Sequence, residues 1–229
     1  GADYPLKDYY FPTIDPKNPY ALTPEEELVM NKLTSSFLNS AKLQDDVSFL
    51  FAKGSVYLVY NNNLMLHGCI PMKSETEFKE FNHKGRMVKG KELLDVLEQT
   101  IRNVWVNRFN QTNNDGDYFW YLWCGACSPI FGKHRMATFE RYLIEDKGPQ
   151  SERLDLYYSL RNNVEVCERI LAEFGLTNDK ARIINGHVPV KVKKGESPIM
   201  ANGRLLVIDG GMSKAYQKET GIGGYTLVS

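Results

Sequence analysis

Two apolar runs in this chain end alike, and that repetition constrains the fold more than any other feature. Leu64-Met65-Leu66 passes into His67-Gly68 with Pro71 close behind, and Ile183-Ile184 passes through Asn185-Gly186 into His187 with Pro189 close behind. Short apolar runs closed by glycine read as buried strands. Asparagine and glycine stop such a strand, so a lone imidazole can emerge from the sheet edge into a cleft. Two strand-end histidines are a candidate metal pair.

The rest of the chain supplies helices and further strands around that pair. Thr23, Pro24 and Glu26 form a capping box with proline at the first helical position, and Leu28, Leu33 and Phe37 begin an apolar stripe. This helix is expected to end near Leu43 or to continue toward Lys53. Ser55 to Tyr60, the Asn61-Asn62-Asn63 turn and Leu64 to His67 read as a hairpin, because asparagine tolerates the positive φ that tight turns need. Lys91 to Arg108 is amphipathic, with Leu94, Leu97, Ile101, Val104 and Trp105 in its buried stripe. Tyr118 to Trp123 reads as helix, capped by Asp115 or Asp117. Arg135 to Ile144 is a short helix or turn-rich segment, and a polar linker follows from Glu145 to Glu152. Val164 to Phe174 is a helix stopped by Gly175, with Val166, Ile170, Leu171 and Phe174 inward. Beyond it Ala181 to Asn185, Arg204 to Asp209 and Tyr225 to Val228 are strand candidates between glycine-rich turns. The first 22 residues, rich in proline and tyrosine, read as an extended arm.

Composition excludes several classes of function. Lys plus Arg and Asp plus Glu balance at 28 each, so no global field favours nucleic acid or an anionic membrane. No apolar run approaches the roughly 18 residues of a membrane span, and no signal-like start is present. The chain is expected to be soluble and cytoplasmic. Four cysteines, at positions 69, 124, 127 and 167, make no disulfide framework in a chain of 229 residues. Cys124-Gly125-Ala126-Cys127 has no second pair to complete a zinc site, and it reads as reduced, partly buried thiols.

The two histidine segments resemble the last two metal motifs of the calcineurin-like metallophosphoesterases. Together with Trp120-Tyr121-Leu122-Trp123-Cys124-Gly125, Ser128-Pro129-Ile130-Phe131-Gly132-Lys133, Met136 to Tyr142 and Gly221-Ile222-Gly223-Gly224-Tyr225-Thr226-Leu227, they look like the class III fructose-1,6-bisphosphatases of bacteria. The resemblance runs from about Pro5 onward. Members of that family are much longer, and their Asp-x-His, Gly-Asp-x-x-Asp and Gly-Asn-His motifs precede this segment. None of those motifs is found here: Gly116-Asp117 runs into Tyr118-Phe119-Trp120, and Asn82-His83 reads as a surface loop among charged residues. The chain therefore resembles a C-terminal piece of the catalytic unit. The resemblance implies an α/β fold, a mixed β-sheet flanked by helices that is incomplete without the N-terminal half. It also implies an organisation of arm at 1–22 and catalytic domain at 23–229, with a largely helical insertion at about 73–160.

The chemistry implied is metal-dependent hydrolysis of the C1 phosphate of fructose 1,6-bisphosphate, a step of gluconeogenesis. Two metal ions, expected to be manganese, would neutralise the phosphoryl charge and supply hydroxide at neutral pH. His67 and His187 would each bind metal as a neutral imidazole, oriented by a hydrogen bond to the other ring nitrogen. Many relatives carry Gly-His-x-His at the second site, but here position 189 is proline. Two histidines cannot build a binuclear centre, so no catalytic residue is assigned and the chain alone is expected to be inactive and to bind metal weakly. Lys133, Arg135 and Arg141 form the densest basic cluster and are candidates for substrate phosphate, with a solvated basic face as the alternative. Two alternatives to the leading reading stand beside it: another phosphatase of the superfamily, or a binding or regulatory domain that has lost its metal centre. A half-sandwich would expose apolar surface, so self-association or a homo-oligomer is expected.

Overall fold

The computed structural model describes residues 4–110 and 114–228. In chain order its elements begin with α1 (Pro24–Leu38), α2 (Ala41–Lys53), β1 (Tyr57–Tyr60), β2 (Asn63–Leu66), β3 (Phe81–His83), β4 (Arg86–Val88), α3 (Gly90–Val106) and α4 (Asp115–Cys124). They continue with α5 (Phe139–Leu143), α6 (Lys147–Gln150), α7 (Tyr157–Leu160), α8 (Val164–Glu173), β5 (Arg182–Asn185), β6 (Ile199–Met200), β7 (Leu205–Val207) and α9 (Lys214–Thr220). Among the described residues no helix is long and apolar enough to cross a membrane. The chain divides into two compact units.

One unit comprises the described residues up to Gly54 together with Ala137–Ser151. The Thr23 hydroxyl accepts from the Glu26 N–H, the Glu26 carboxylate accepts from the Thr23 N–H at 2.8 Å, and Pro24 takes the first helical position. This is the expected reciprocal cap. The helix then stops at Asn39, and Ser40 caps α2 by accepting the Leu43 N–H at 3.3 Å. The single long helix expected from Thr23 is thus two, because a second serine cap interrupts it. Leu28, Leu33 and Phe37 are 70%, 50% and 64% exposed, so the apolar stripe that they begin faces solvent. The arm joins the unit where Lys7 N–H donates to Leu143 O at 2.8 Å. The polar linker expected from Glu145 contains α6, started by Asp146 accepting the Gly148 N–H.

The other unit, Ser55–Met136 with Glu152–Ser229, holds the main sheet, in the order β1-β2-β5-β7-β6. The asparagine turn behaves as expected: Asn61 and Asn62 both take positive φ (48° and 60°), and Tyr60 faces Asn63 across a tight hairpin. β2, β5 and β7 are parallel neighbours, while β1 and β6 are antiparallel edges. The sheet is mixed and flanked by helices. On one face Leu64, Ile183 and Leu205 align across the three central strands, each fully buried. α8 packs on β5 and contacts α3, and α3 packs against α4. Val166, Ile170, Leu171 and Phe174 of this region are buried as the periodicity indicates, and Gly175 stops the helix at φ 74°.

Two expectations fail here. Tyr225 to Val228 is not a strand; Gly224 bridges Asp209 singly, and the Tyr225 N–H donates to Ile208 O before pairing ends. Asn82-His83 lies in no loop but on β3 of a separate two-stranded hairpin, turned by Lys84 and Gly85 at positive φ (51° and 85°). Glycine makes that turn possible, and lysine is an uncommon companion for it.

Candidate metal centre

Because β2, β5 and β7 are parallel neighbours, their carboxyl ends open on one edge of the sheet. His67 directly follows β2, His187 follows β5 after one glycine, and Asp209 follows β7 after Ile208. Ligands of open α/β sheets bind beyond such strand ends. A cavity of about 560 Å³ lies there, with Leu66, His67, His187, Asp209, Met212 and Tyr225 in its wall.

The two imidazoles touch. His67 Nε2 lies 3.0 Å from His187 Nδ1, with the ring planes at 64°. His187 Nε2 lies 2.9 Å from Phe131 O. A carbonyl can only accept, so Nε2 of the neutral ring carries the proton and Nδ1 presents its lone pair toward His67. A backbone carbonyl behind the ring is the partner that orients and polarises a metal-ligating histidine. Among the described residues the His67 ring bonds only to His187.

Electrostatics favours the ligand form of both. Partial burial pushes the His67 imidazole below its ordinary value, opposed by the Asp209 carboxylate, although the residue as a whole is exposed. His187 is pushed down first by burial and then by His67, with Lys133 adding to the effect and the Phe131 carbonyl and Asp209 opposing it. Both rings are neutral at pH 7.

The backbone is specialised at both ends of the pair. His187 has φ 65°, and the Val188 N–H donates to Gly186 O at 2.7 Å, closing a three-residue turn of the rare, strained hand. Strain of this kind collects at functional positions. Gly68 is fixed by crowding: a Cβ there would stand 2.5 Å from Pro129 O and 3.2 Å from Tyr158 Oη. Cys69 N–H donates to that same Pro129 oxygen, so the loop after β2 is held against the 129–132 segment.

Two imidazole nitrogens with a carboxylate nearby are a mixed donor set of the kind manganese, iron or zinc accepts. Among the described residues no three His, Cys, Asp or Glu come close enough together to hold an ion. Catalytic zinc centres, for comparison, take three protein ligands. The pair fits one edge of a metal centre and is short of a whole one.

The basic candidates divide. Lys133 sits close enough to act on His187, but its ammonium is ion-paired to Glu152 at 2.6 Å. Arg135 is exposed on the same unit, and Arg141 lies on α5 of the other. His83 stacks beside Tyr118 at 4.6 Å between centroids, on the separate hairpin. Cys124 and Cys127 are free thiols turned toward different carbonyls, those of Trp120 and Glu80.

Sequence reading passed over Asp209 and Asn185. A signal was present for Asp209: Leu205-Leu206-Val207-Ile208 ends in Asp-Gly-Gly, a third apolar run closed as the two histidine runs are. What was missing is the strand order that makes all three ends neighbours.

The chain matches the family model described as Firmicute fructose-1,6-bisphosphatase over residues 1–229. It is 53% identical over 230 residues to the "Fructose-1,6-bisphosphatase class 3" of Clostridium tetani (strain Massachusetts / E88), covering 100% of this chain and 35% of the relative. Against "Fructose-1,6-bisphosphatase class 3 1" of Clostridium beijerinckii the identity is 52%, covering 100% and 34%. The class 3 protein of Bacteroides fragilis is 51% identical, again over 100% of this chain and 35% of the relative. The chain thus spans about a third of the length of the curated relatives it matches. No solved structure matches it.

Proposed function

The chain belongs to the Firmicute fructose-1,6-bisphosphatase family, and from that premise we propose that it forms part of a metal-dependent phosphatase acting on fructose 1,6-bisphosphate. Water oxygen bonds to phosphorus as the bond to the C1 oxygen breaks, releasing fructose 6-phosphate and phosphate. The enzyme would serve gluconeogenesis in the cytoplasm. The observation that carries this reading is the contact between His67 and His187 at adjacent parallel strand ends, inside a cavity of about 560 Å³.

His67, with its ring proton moved to Nδ1, and His187 would hold one side of a manganese centre through Nε2 and Nδ1. A metal held there would supply charge neutralisation for the phosphoryl group and activation of water at neutral pH. The chain's own residues do the rest on their side. Burial keeps both rings neutral and able to bind, and the Phe131 carbonyl fixes the His187 tautomer. Lys133, Arg135 and Arg141 are the candidates for the substrate's phosphates; Lys133 would adjust its pairing with Glu152 to reach one. Met212 and Tyr225 line the cavity beside the pair.

The test has two arms. The 229-residue chain with manganese and fructose 1,6-bisphosphate should release no phosphate above background, because no three-ligand group is present among its described residues. A polypeptide of the relatives' length containing this chain should turn over, prefer the bisphosphate among sugar phosphates, nucleotides and phosphopeptides, and lose at least about 100-fold on His187→Ala, more than loss of an outer-shell partner costs. Robust turnover by the short chain, or full activity of the variant, contradicts the proposal.

A further inference from the structure

Asn185 is the last residue of β5, on the core face, opposite Val207 and 1% exposed. An aliphatic residue would serve packing there, whereas a buried amide is costly unless it bonds well. Its Nδ2 donates twice: to Gly68 O at 2.8 Å and to Tyr157 Oη at 2.9 Å. Gly68 directly follows His67, and the neighbouring Gly186 N–H donates to His67 O at 3.0 Å. Two bonds therefore run from the segment leading into His187 to successive carbonyls of the His67 loop. The β2–β5 ladder ends at Met65 opposite Ile184, so these bonds extend the connection beyond the sheet. Tyr157 is fully buried and anchors the amide from α7. Among the described residues Asn185 Oδ1 has no hydrogen-bond partner.

We infer that Asn185 is a positioning residue whose amide fixes the spacing and mutual aim of the His67 and His187 imidazoles. The purpose of that spacing rests on the metal-site reading; the geometry does not. Without the amide, Gly68 O and Tyr157 Oη lose their donor. The His67 loop then keeps only its main-chain bonds through His67 O and Cys69 N, and the Gly68 carbonyl is left buried without the amide that ties it to the His187 segment.

The test uses the 229-residue chain without metal and reads histidine-selective NMR. In the parent chain His187→Ala should shift the His67 ring signals, since Nε2 loses its partner at 3.0 Å. In an Asn185→Ala background the same substitution should leave them unmoved, while circular dichroism shows the fold retained. Asn185→Asp keeps the shape and removes both donors, and it decides the matter if Asn185→Ala does not fold. Tyr157→Phe removes only the hydroxyl and should preserve the coupling. Manganese affinity should fall about 10- to 100-fold in Asn185→Ala. Coupling retained in the folded asparagine variants, or lost equally in Tyr157→Phe, overturns the inference. A parent chain that binds no manganese would instead sink the metal reading, because the ring coupling is measured without it.

Discussion

His187, the proposed metal ligand, sits on a backbone that a side chain disfavours. At φ 65° a β-carbon costs about 1–2 kcal/mol relative to glycine, partly offset by glycine's greater freedom in the unfolded chain. His187→Ala and His187→Gly both remove the imidazole and differ only in tolerance of that φ. The glycine variant should be the more stable by about 1 kcal/mol in urea denaturation, with manganese binding lost in both. An alanine variant as stable as the glycine one would remove the strain. The histidines themselves could be read from the sequence, since a polar residue closing an apolar run with glycine is a local pattern. Asp209 closes an apolar run with glycine in the same way, but its place beside the histidines, like the bonds of Asn185, depends on which strands lie side by side, and nothing local specifies that Ile184 faces Met65 on one side and Leu206 on the other.

Among the elements, the apolar stripes of α3 and α8 are buried, whereas that of α1 is exposed. All three show apolar stripes, but a stripe reports only that a helix could bury a face, not that a partner exists. Leu97 of α3 is fully buried, whereas Leu28 of α1 is 70% exposed. Leu97→Ala should cost about 2–5 kcal/mol, and Leu28→Ala within about 0.5 kcal/mol, by chemical denaturation. Comparable losses would mean that α1 is packed in solution. Turn chemistry shows the same division. Asn61-Asn62 announces its hairpin, while Lys84-Gly85 turns another with a residue pair that gives weak warning. Tyr225 to Val228 has strand composition but finds an edge only at its first residue.

At the scale of the whole molecule, the mixed sheet presents a second face as apolar as the first. Leu58, Met65, Ile184, Leu206 and Ile199 lie opposite one another across all five strands, and the ladder's ends, Leu58 and Ile199, are 52% and 61% exposed. Apolar surface of this extent favours association. The chain should therefore show concentration-dependent mass by light scattering, reduced by Leu58→Lys with Ile199→Lys; monomers throughout would argue against it. The candidate site has the same incompleteness: two imidazoles meet at neighbouring strand ends, and among the described residues no group of three His, Cys, Asp or Glu is present. The most direct test is a manganese titration of the metal-free chain followed by histidine-selective NMR, where paramagnetic broadening reports even weak binding. The chain has four histidines. His67 and His187 should broaden first and together, while His83 and His134 stay sharp. Uniform broadening of all four, or broadening of His83 or His134 ahead of the pair, would contradict a metal centre at these strand ends.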